Sequence, residues 1–250
     1  MQKSKVEKSI LYLVGILSII ILWDIVAEVK DNTYIYPTLD LIATRLLEIV
    51  STKAGIYILF LDVVRILISV SISFVIGLAL TILYIKFPAS FSFFKIYLEY
   101  FKSVPIIVLS IFIWLIVPGK IAPGIITCFV AIPVVTYGLI SAVDQMDKVL
   151  LDDLKMLEVN FIKKLIYVYI PYLSPYFIMI FLQSFGLAFK VMITSEYICQ
   201  TQNSIGQVLY DAKSNLDMDV LIAWSIVIVV IVVIIELLFR YVNKKMYYEK

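Results

Sequence analysis

Long apolar runs, separated by short charged stretches, dominate the sequence. An α-helix needs about 20 apolar residues to cross the hydrocarbon core of a bilayer. Runs of this kind predict six transmembrane helices, of which the third is the shortest. They cover residues 9–23 with an extension to 27, 66–85, 104–117, 121–143, 169–189, and 220–235 with an extension to 239. The pattern predicts an all-α membrane protein with a single transmembrane domain over residues 1–250.

The basic residues are distributed unevenly between the two sides of this predicted bundle. Both termini and the connections after the second and fourth helices hold more than twice as many Lys and Arg residues as the opposite side. Cytoplasmic loops of membrane proteins carry an excess of Lys and Arg. We therefore expect a multi-pass protein of the cell (plasma or inner) membrane, with both termini in the cytoplasm.

The composition agrees with membrane insertion and excludes several classes of function. Hydrophobic residues make up 62% of the chain and charged residues only 16%, and the mean hydropathy is +1.02. These values exclude a secreted soluble enzyme, a nucleic-acid-binding module and a disordered chain. The chain has no His, which excludes Ser-His-Asp and Cys-His catalysis and the common His-ligated metal sites. We predict no catalytic residue and no metal site.

Two segments outside the predicted spans also have a helical pattern. The first lies within residues 28–62, where apolar residues recur at three- and four-residue steps. These residues are Leu39, Ile42, Leu46, Leu47 and Val50. Their spacing predicts an amphipathic helix on the outer face.

The second segment is the connection after the fourth predicted helix, residues 144–171, which is long for a link between helices. Its apolar stripe consists of Leu154, Leu157, Phe161, Ile162 and Leu165. This spacing is typical of one face of a helix. Two interpretations remain open, a linker that lies on the membrane and a plug that inserts into a groove of a soluble partner.

A motif in this connection resembles one in known transporters. Asp152-Asp153-Leu154 is followed after three residues by Glu158, and after nine more by Val168-Tyr169-Ile170-Pro171. The spacing is similar to E-A-A-x3-G-x9-I-x-L-P, the cytoplasmic loop of ABC importer permeases of the nitrate/sulfonate/taurine type. Two features depart from the motif, because both alanines are replaced and Glu158 occupies the glycine position.

Further motifs of the same family occur in the same order along the chain. They are Trp23 with Tyr36-Pro37-Thr38, Arg65 with Ile76-Gly77, Lys102-Ser103-Val104-Pro105, Ala131-Ile132-Pro133 with Gly138, Gly186-Leu187-Ala188-Phe189-Lys190 with Glu196, and Ser204-Ile205-Gly206. The resemblance covers roughly residues 20–240. It implies the type I ABC importer permease fold, with a cytoplasmic coupling helix between transmembrane helices 4 and 5. Residues 144–171 are called the coupling loop below.

The resemblance also implies a set of partners. A second permease chain, expected as a homodimer, would complete the pathway, and an extracytoplasmic binding protein would deliver the substrate. Two cytoplasmic ABC ATPase subunits would bind ATP and Mg, because this chain has no G-x-x-x-x-G-K-[ST] motif. The expected substrate is a small anion or organic solute such as nitrate, a sulfonate or a vitamin precursor. No cofactor and no nucleic acid are expected on this chain, which lies in the lipid bilayer.

Two groups of residues are candidates for function. The predicted ATPase-coupling residues are Asp152, Asp153, Leu154, Leu157, Glu158, Phe161, Lys163, Lys164, Val168 and Pro171. Gly186, Lys190 and Glu196 are candidates for the translocation pathway or a gate, while an interfacial role for Lys190 and Glu196 stays open. An ion-coupled secondary transporter is the main alternative function, and an intramembrane enzyme is a more distant one. The nearly charge-free spans count against the secondary transporter.

Overall fold

The computed structural model describes residues 2–30, 32–156 and 159–247, and every regular element in these ranges is helical. The helices are α1 (Gln2–Lys30), α2 (Leu39–Ser51), α3 (Lys53–Lys86), α4 (Ser90–Ser103), α5 (Ile106–Ile116), α6 (Ala122–Asp144), α7 (Lys148–Met156), α8 (Phe161–Lys164), α9 (Ile170–Cys199), α10 (Ile205–Asn215) and α11 (Met218–Tyr247). A π-helical turn, Leu165–Tyr169, joins α8 to α9. The predicted all-α class is confirmed.

Four helices in the described part of the chain are long and apolar enough to cross a membrane. They are α3, α6, the continuous helix from Phe161 to Cys199, and α11 from Met218 to Ile235. These helices contain the second, fourth, fifth and sixth predicted runs. The first run lies in α1, and its crossing of the membrane stays a prediction.

The third predicted run differs from the others. Residues 104–117 are occupied mainly by α5, which is too short to cross a bilayer alone. α4 and α5 pass the length and hydropathy criteria only as a pair, and they are bent by 103° at the break between them. Pro105 lies in this break, where its fixed φ and missing N–H disfavour a continuous helix. The described helices therefore give up to five crossings by this criterion, against six predicted from the whole sequence.

Two helices extend well beyond their predicted ends. α3 begins at Lys53 instead of Ile66, and α9 continues past Phe189 to Cys199. The sequence prediction ended both runs at charged residues. In the structure Asp62 lies within α3 and Glu196 within α9. Their carboxylates are buried, and Arg65 pairs with both. A charge that finds a partner does not need to leave the bundle.

The first of two compact units contains residues 1–56 and 208–228. The predicted amphipathic helix is present as α2, which buries Ile42 and Ile49. Leu47 and Val50 are exposed, so the predicted apolar stripe is only partly correct. Arg45 of α2 donates to Asp219 at 2.8 Å. Hydrogen bonds to Asp219 and Glu48 raise the pKa of Arg45 above its ordinary value.

The second unit contains residues 57–207 and 229–250, and its core forms mainly between α6 and α9. Val135, Leu139 and Ile180 make one buried cluster there. Gly77 of α3 faces this cluster, and a Cβ at that position would lie 2.6 Å from Cγ1 of Val135. The missing side chain allows α3 to approach α6 closely, as small residues do in membrane bundles.

The helix that leads into α9 begins earlier than predicted. The sequence places its start near Tyr169 and Pro171, whereas the structure starts at Phe161 and passes through the π-helical turn. In that turn Ile170 N donates to Leu165 O. Pro171 has no N–H to donate, so a locally widened helix can pass it without ending. The second half of the coupling loop is thereby rigidly continuous with a membrane helix.

Candidate functional site

The coupling loop contains two helices with a break between them. α7 ends at Met156 and α8 begins at Phe161, so the predicted apolar stripe does not follow one helix. Asn160 caps α8, because its Oδ1 accepts a hydrogen bond from Ile162 N at 3.3 Å. An Asn at this position satisfies one of the free amides at a helix N-terminus. The N-terminus of α8 is thus fixed by a side-chain cap.

Three contacts fix the inner side of this loop. Leu154 of α7 is buried with 4% of its surface exposed, and its carbonyl oxygen accepts a hydrogen bond from Lys164 Nζ. Phe161 is half-buried, and Lys86 Nζ at the end of α3 lies 5.8 Å from its ring centroid. These contacts tie α7 to α8 and α8 to α3.

A cavity of about 280 Å³ lies behind the loop. One wall contains a hydrogen bond of 2.7 Å that Tyr84 Oη of α3 donates to Asp144 Oδ1 of α6. Its lining residues are Tyr84, Ile85, Pro88, Val143, Asp144, Leu151, Leu154, Phe161, Lys164 and Tyr169. The coupling loop therefore rests on the ends of α3 and α6 with unfilled space beneath it.

The opposite side of the loop exposes apolar side chains. Met156 is 82% exposed, and Val149, Ile162 and Tyr167 are exposed as well. Exposed apolar side chains commonly mark a contact with a partner protein or with lipid. The loop thus has a fixed inner side and an uncovered apolar outer side.

The remaining predicted coupling residues are distributed over both sides. Asp152, Asp153, Lys163 and Pro171 are exposed, whereas Lys164 and Val168 are half-buried. Leu157 and Glu158 lie outside the described residues. Their predicted roles therefore stay predictions.

The three candidate pathway residues of α9 lie in different environments. Gly186 is half-buried, with open space where a Cβ would lie. Lys190 is exposed, whereas Glu196 is completely buried. The structure does not bring the three together, and it buries Glu196 against Arg65 of α3.

Glu196 belongs to a charged cluster with Asp62 and Arg65. Arg65 Nη1 lies 2.8 Å from Asp62 Oδ1 and 3.3 Å from Glu196 Oε1. Both carboxylate side chains have 0% of their surface exposed, and Arg65 has 27% exposed. Two buried carboxyl groups therefore share one guanidinium.

The cluster also binds the backbone of the turn between α9 and α10. Asp62 Oδ2 accepts a hydrogen bond of 2.7 Å from Ile205 N. Arg65 donates to the carbonyl oxygens of Asn203 at 3.2 Å and Gln202 at 3.5 Å. A Cβ on Gly206 would overlap atoms of α9, so only glycine permits this approach of α10.

Sequence reasoning missed Asp62 and Arg65 as site residues. It treated them as charges beyond the start of the second span. Their spacing of three residues was an available signal, because opposite charges one turn apart on a helix face each other. The contribution of Glu196 required the tertiary structure.

No group of three or more His, Cys, Asp or Glu side chains within residues 2–30, 32–156 and 159–247 could hold a metal ion. The two cysteines, Cys128 and Cys199, are free thiols. The geometry consequently offers two features for function, the coupling loop and the buried charged cluster. Both lie in the second unit.

The comparisons with known proteins agree with this architecture. The sequence model of the family described as "Binding-protein-dependent transport system inner membrane component" matches residues 73–248. This range contains the coupling loop, α9 and α11, and it covers more than half of the chain. A comparison with curated proteins gave no match. The chain therefore belongs to the family of binding-protein-dependent transport system inner membrane components, the permease subunits of ABC importers.

Proposed function

We propose that this permease forms a translocation pathway with a second copy of itself and that its coupling loop docks on a cytoplasmic ABC ATPase. Both termini would lie in the cytoplasm, as the distribution of Lys and Arg indicates. ATP and Mg would bind only to the ATPase subunits. A homodimer would carry two coupling loops, one for each ATPase of the pair.

The observation that carries the proposal is the two-sided structure of the coupling loop. Its inner side is fixed by Leu154, Phe161 and Lys164, while Met156 and Val149 face outward. A membrane-lying linker would need no such fixation to the ends of α3 and α6. An element that transmits force needs both a rigid attachment and a surface for its partner.

The helix that follows the coupling loop would transmit a displacement of the loop across the membrane. Phe161 and Cys199 are the ends of one continuous helix of 39 residues. At 1.5 Å per residue this helix is about 58 Å long. A displacement of the coupling loop would therefore reach the far end of α9 without passing a flexible connection.

We infer a small anion or organic solute of the nitrate, sulfonate or vitamin-precursor type from the resemblance of the motifs. An extracytoplasmic binding protein would select it. Measuring the ligands of the binding protein encoded beside this permease would test the class directly.

The docking proposal is tested with two methionines of similar exposure. Met156 is 82% exposed on the coupling loop, and Met179 is 63% exposed on α9. Met156→Ala should lower co-purification of the ATPase severalfold, because truncation of an interface side chain commonly costs about 1 kcal/mol or more. Met179→Ala should leave co-purification unchanged. Equal behaviour of the two variants would contradict docking at this surface.

An ion-coupled secondary transporter is the second candidate. The buried Asp62, Arg65 and Glu196 favour it, because ionisable groups inside membrane segments often serve ion coupling. The two functions separate in proteoliposomes. Uptake driven by an ion gradient in the absence of any ATPase subunit would support the secondary transporter, and strict dependence on ATP and the ATPase would exclude it.

A further inference from the structure

The buried cluster contains more negative charge than its cation can balance. Arg65 supplies one positive charge, whereas Asp62 and Glu196 supply two carboxyl groups, both fully buried. Burial of a carboxylate is costly unless a charge or hydrogen bonds compensate it. The two carboxyl groups therefore cannot be equivalent.

The hydrogen bonds show which carboxyl group is compensated. Asp62 accepts from Arg65 at 2.8 Å through one oxygen and from Ile205 N at 2.7 Å through the other. Glu196 is 3.3 Å from Arg65, and its Oε2 has no hydrogen-bond donor among the described residues. A buried carboxylate with so little compensation costs more free energy than a neutral carboxyl group, so this pattern fits an ionised Asp62 beside a Glu196 that keeps its proton.

The same groups hold a turn with an unusual backbone. Gln200 and Asn203 have positive φ angles of 48° and 54°, which are uncommon for residues other than glycine. Arg65 binds the carbonyl oxygens of Gln202 and Asn203. Backbone of this kind persists only where surrounding contacts determine it.

We propose that Asp62, Arg65 and Glu196 form a clamp that positions the turn 200–204 on α3 and joins the far end of α9 to that helix. Arg65 and Asp62 are its positioning residues, and Glu196 is a neutral partner that accepts a hydrogen bond from Arg65. The clamp makes α9 and α3 move together at the end opposite to the coupling loop. Its effect on transport rests on the proposed function, whereas its structure can be tested independently.

The structural test measures hydrogen exchange of the full-length permease in lipid nanodiscs. Asp62→Ala removes the acceptor of the Ile205 amide, so exchange in residues 200–206 should become about tenfold faster or more. Thr194→Ala is the matched control, because Thr194 is exposed on α9 and its hydroxyl donates only to the carbonyl of Lys190. Unchanged exchange in Asp62→Ala, or an equal increase in the control, would overturn the clamp.

The second test distinguishes the charge states of the two carboxyl groups by measuring transport in the assembled transporter. Glu196→Gln resembles the protonated acid and should keep at least about half of the ATP-driven transport. Arg65→Ala should reduce transport about tenfold or more, because it leaves Asp62 ionised and unpaired. Equal loss in Glu196→Gln and Arg65→Ala would overturn the unequal sharing.

A double variant separates positioning from simple charge burial. Arg65→Ala with Asp62→Asn carries no unbalanced charge in the cluster, so the yield of folded protein should recover. Transport should stay low, because no guanidinium binds the turn. Full recovery of transport would overturn the positioning role.

Different measurements test the proposed docking and the proposed clamp. Clamp variants should co-purify with the ATPase as the unaltered chain does, because their substitutions lie far from the coupling loop. Loss of co-purification in Met156→Ala together with normal exchange at residues 200–206 would support docking. Normal co-purification in that variant would contradict docking and leave the exchange test of the clamp valid.

Discussion

The two ends of the long helix from Phe161 to Cys199 are held by opposite means. At the coupling loop, a few contacts by Leu154, Phe161 and Lys164 support a segment whose outer side is apolar and exposed. At the clamp, the side chains of Asp62 and Glu196 are entirely buried. Polar bonds to Arg65 and to the backbone act there in addition to apolar packing.

The difference between the coupling loop and the clamp indicates a different role for each end of the helix. Under the proposed function, the exposed apolar side of the coupling loop would leave part of its stabilisation to a partner, as an interface does. The clamp satisfies nearly all its polar groups within the chain, so it needs no partner to stay formed. A helix fixed at one end and completed by a partner at the other suits the transfer of a movement between them.

The largest effect should come from removing the cation of the clamp. Arg65→Ala leaves buried carboxyl groups without their charge partner, and breaking a buried ion pair in this way costs about 3–5 kcal/mol. Glu48→Ala is the control, because its ion pair with Arg45 is largely exposed and such pairs contribute about 0–1 kcal/mol. Unfolding in mixed micelles should show this contrast. Similar losses in both variants would contradict the buried character of the clamp.

That contrast also shows how far the sequence could lead. The apolar runs predicted the helical class and the positions of α3, α6, α9 and α11, because membrane spans are long and continuous. The motif spacing predicted the coupling loop, and the coupling role of that loop stays a prediction. The clamp requires a contact between Arg65 and Glu196, which are 131 positions apart in the sequence. A local sequence pattern cannot predict such a contact. The bend between α4 and α5 was missed, because an apolar run in the sequence does not show whether the helix that it forms is straight or bent.

Two glycines provide the next test of the clamp. A Cβ at Gly206 would overlap Glu196 and Tyr197, whereas a Cβ at Gly186 would meet no atom within 4 Å. Gly206→Ala should destabilise the chain by about 1–3 kcal/mol through overpacking. Gly186→Ala should be neutral or stabilising, because Ala favours a helix by about 1 kcal/mol over Gly. Equal unfolding midpoints for the two variants would contradict the close approach of α10.

Phe161 tests the attachment of the coupling loop. Its ring lines the cavity, and the ring centroid lies 5.8 Å from Lys86 Nζ. Phe161→Ala should weaken binding of the ATPase about tenfold, because an unsupported loop presents its outer side poorly. Titration of the purified ATPase onto the permease in nanodiscs measures this change. Normal assembly and transport would favour a linker that merely lies on the membrane.

The smallest effect should come from the cap of α8. The Oδ1 of Asn160 accepts a hydrogen bond from Ile162 N, and loss of such a cap costs about 1 kcal/mol. Asn160→Ala should therefore increase fraying at residues 161–164 about fivefold, measured by hydrogen exchange, without changing exchange at residues 200–206. Asn160→Asp keeps the acceptor and should behave as the unaltered chain. A response at both ends of the helix would mean that the coupling loop and the clamp are already coupled within the isolated permease. A response confined to residues 161–164 would place the transfer of movement in the step at which the ATPase docks.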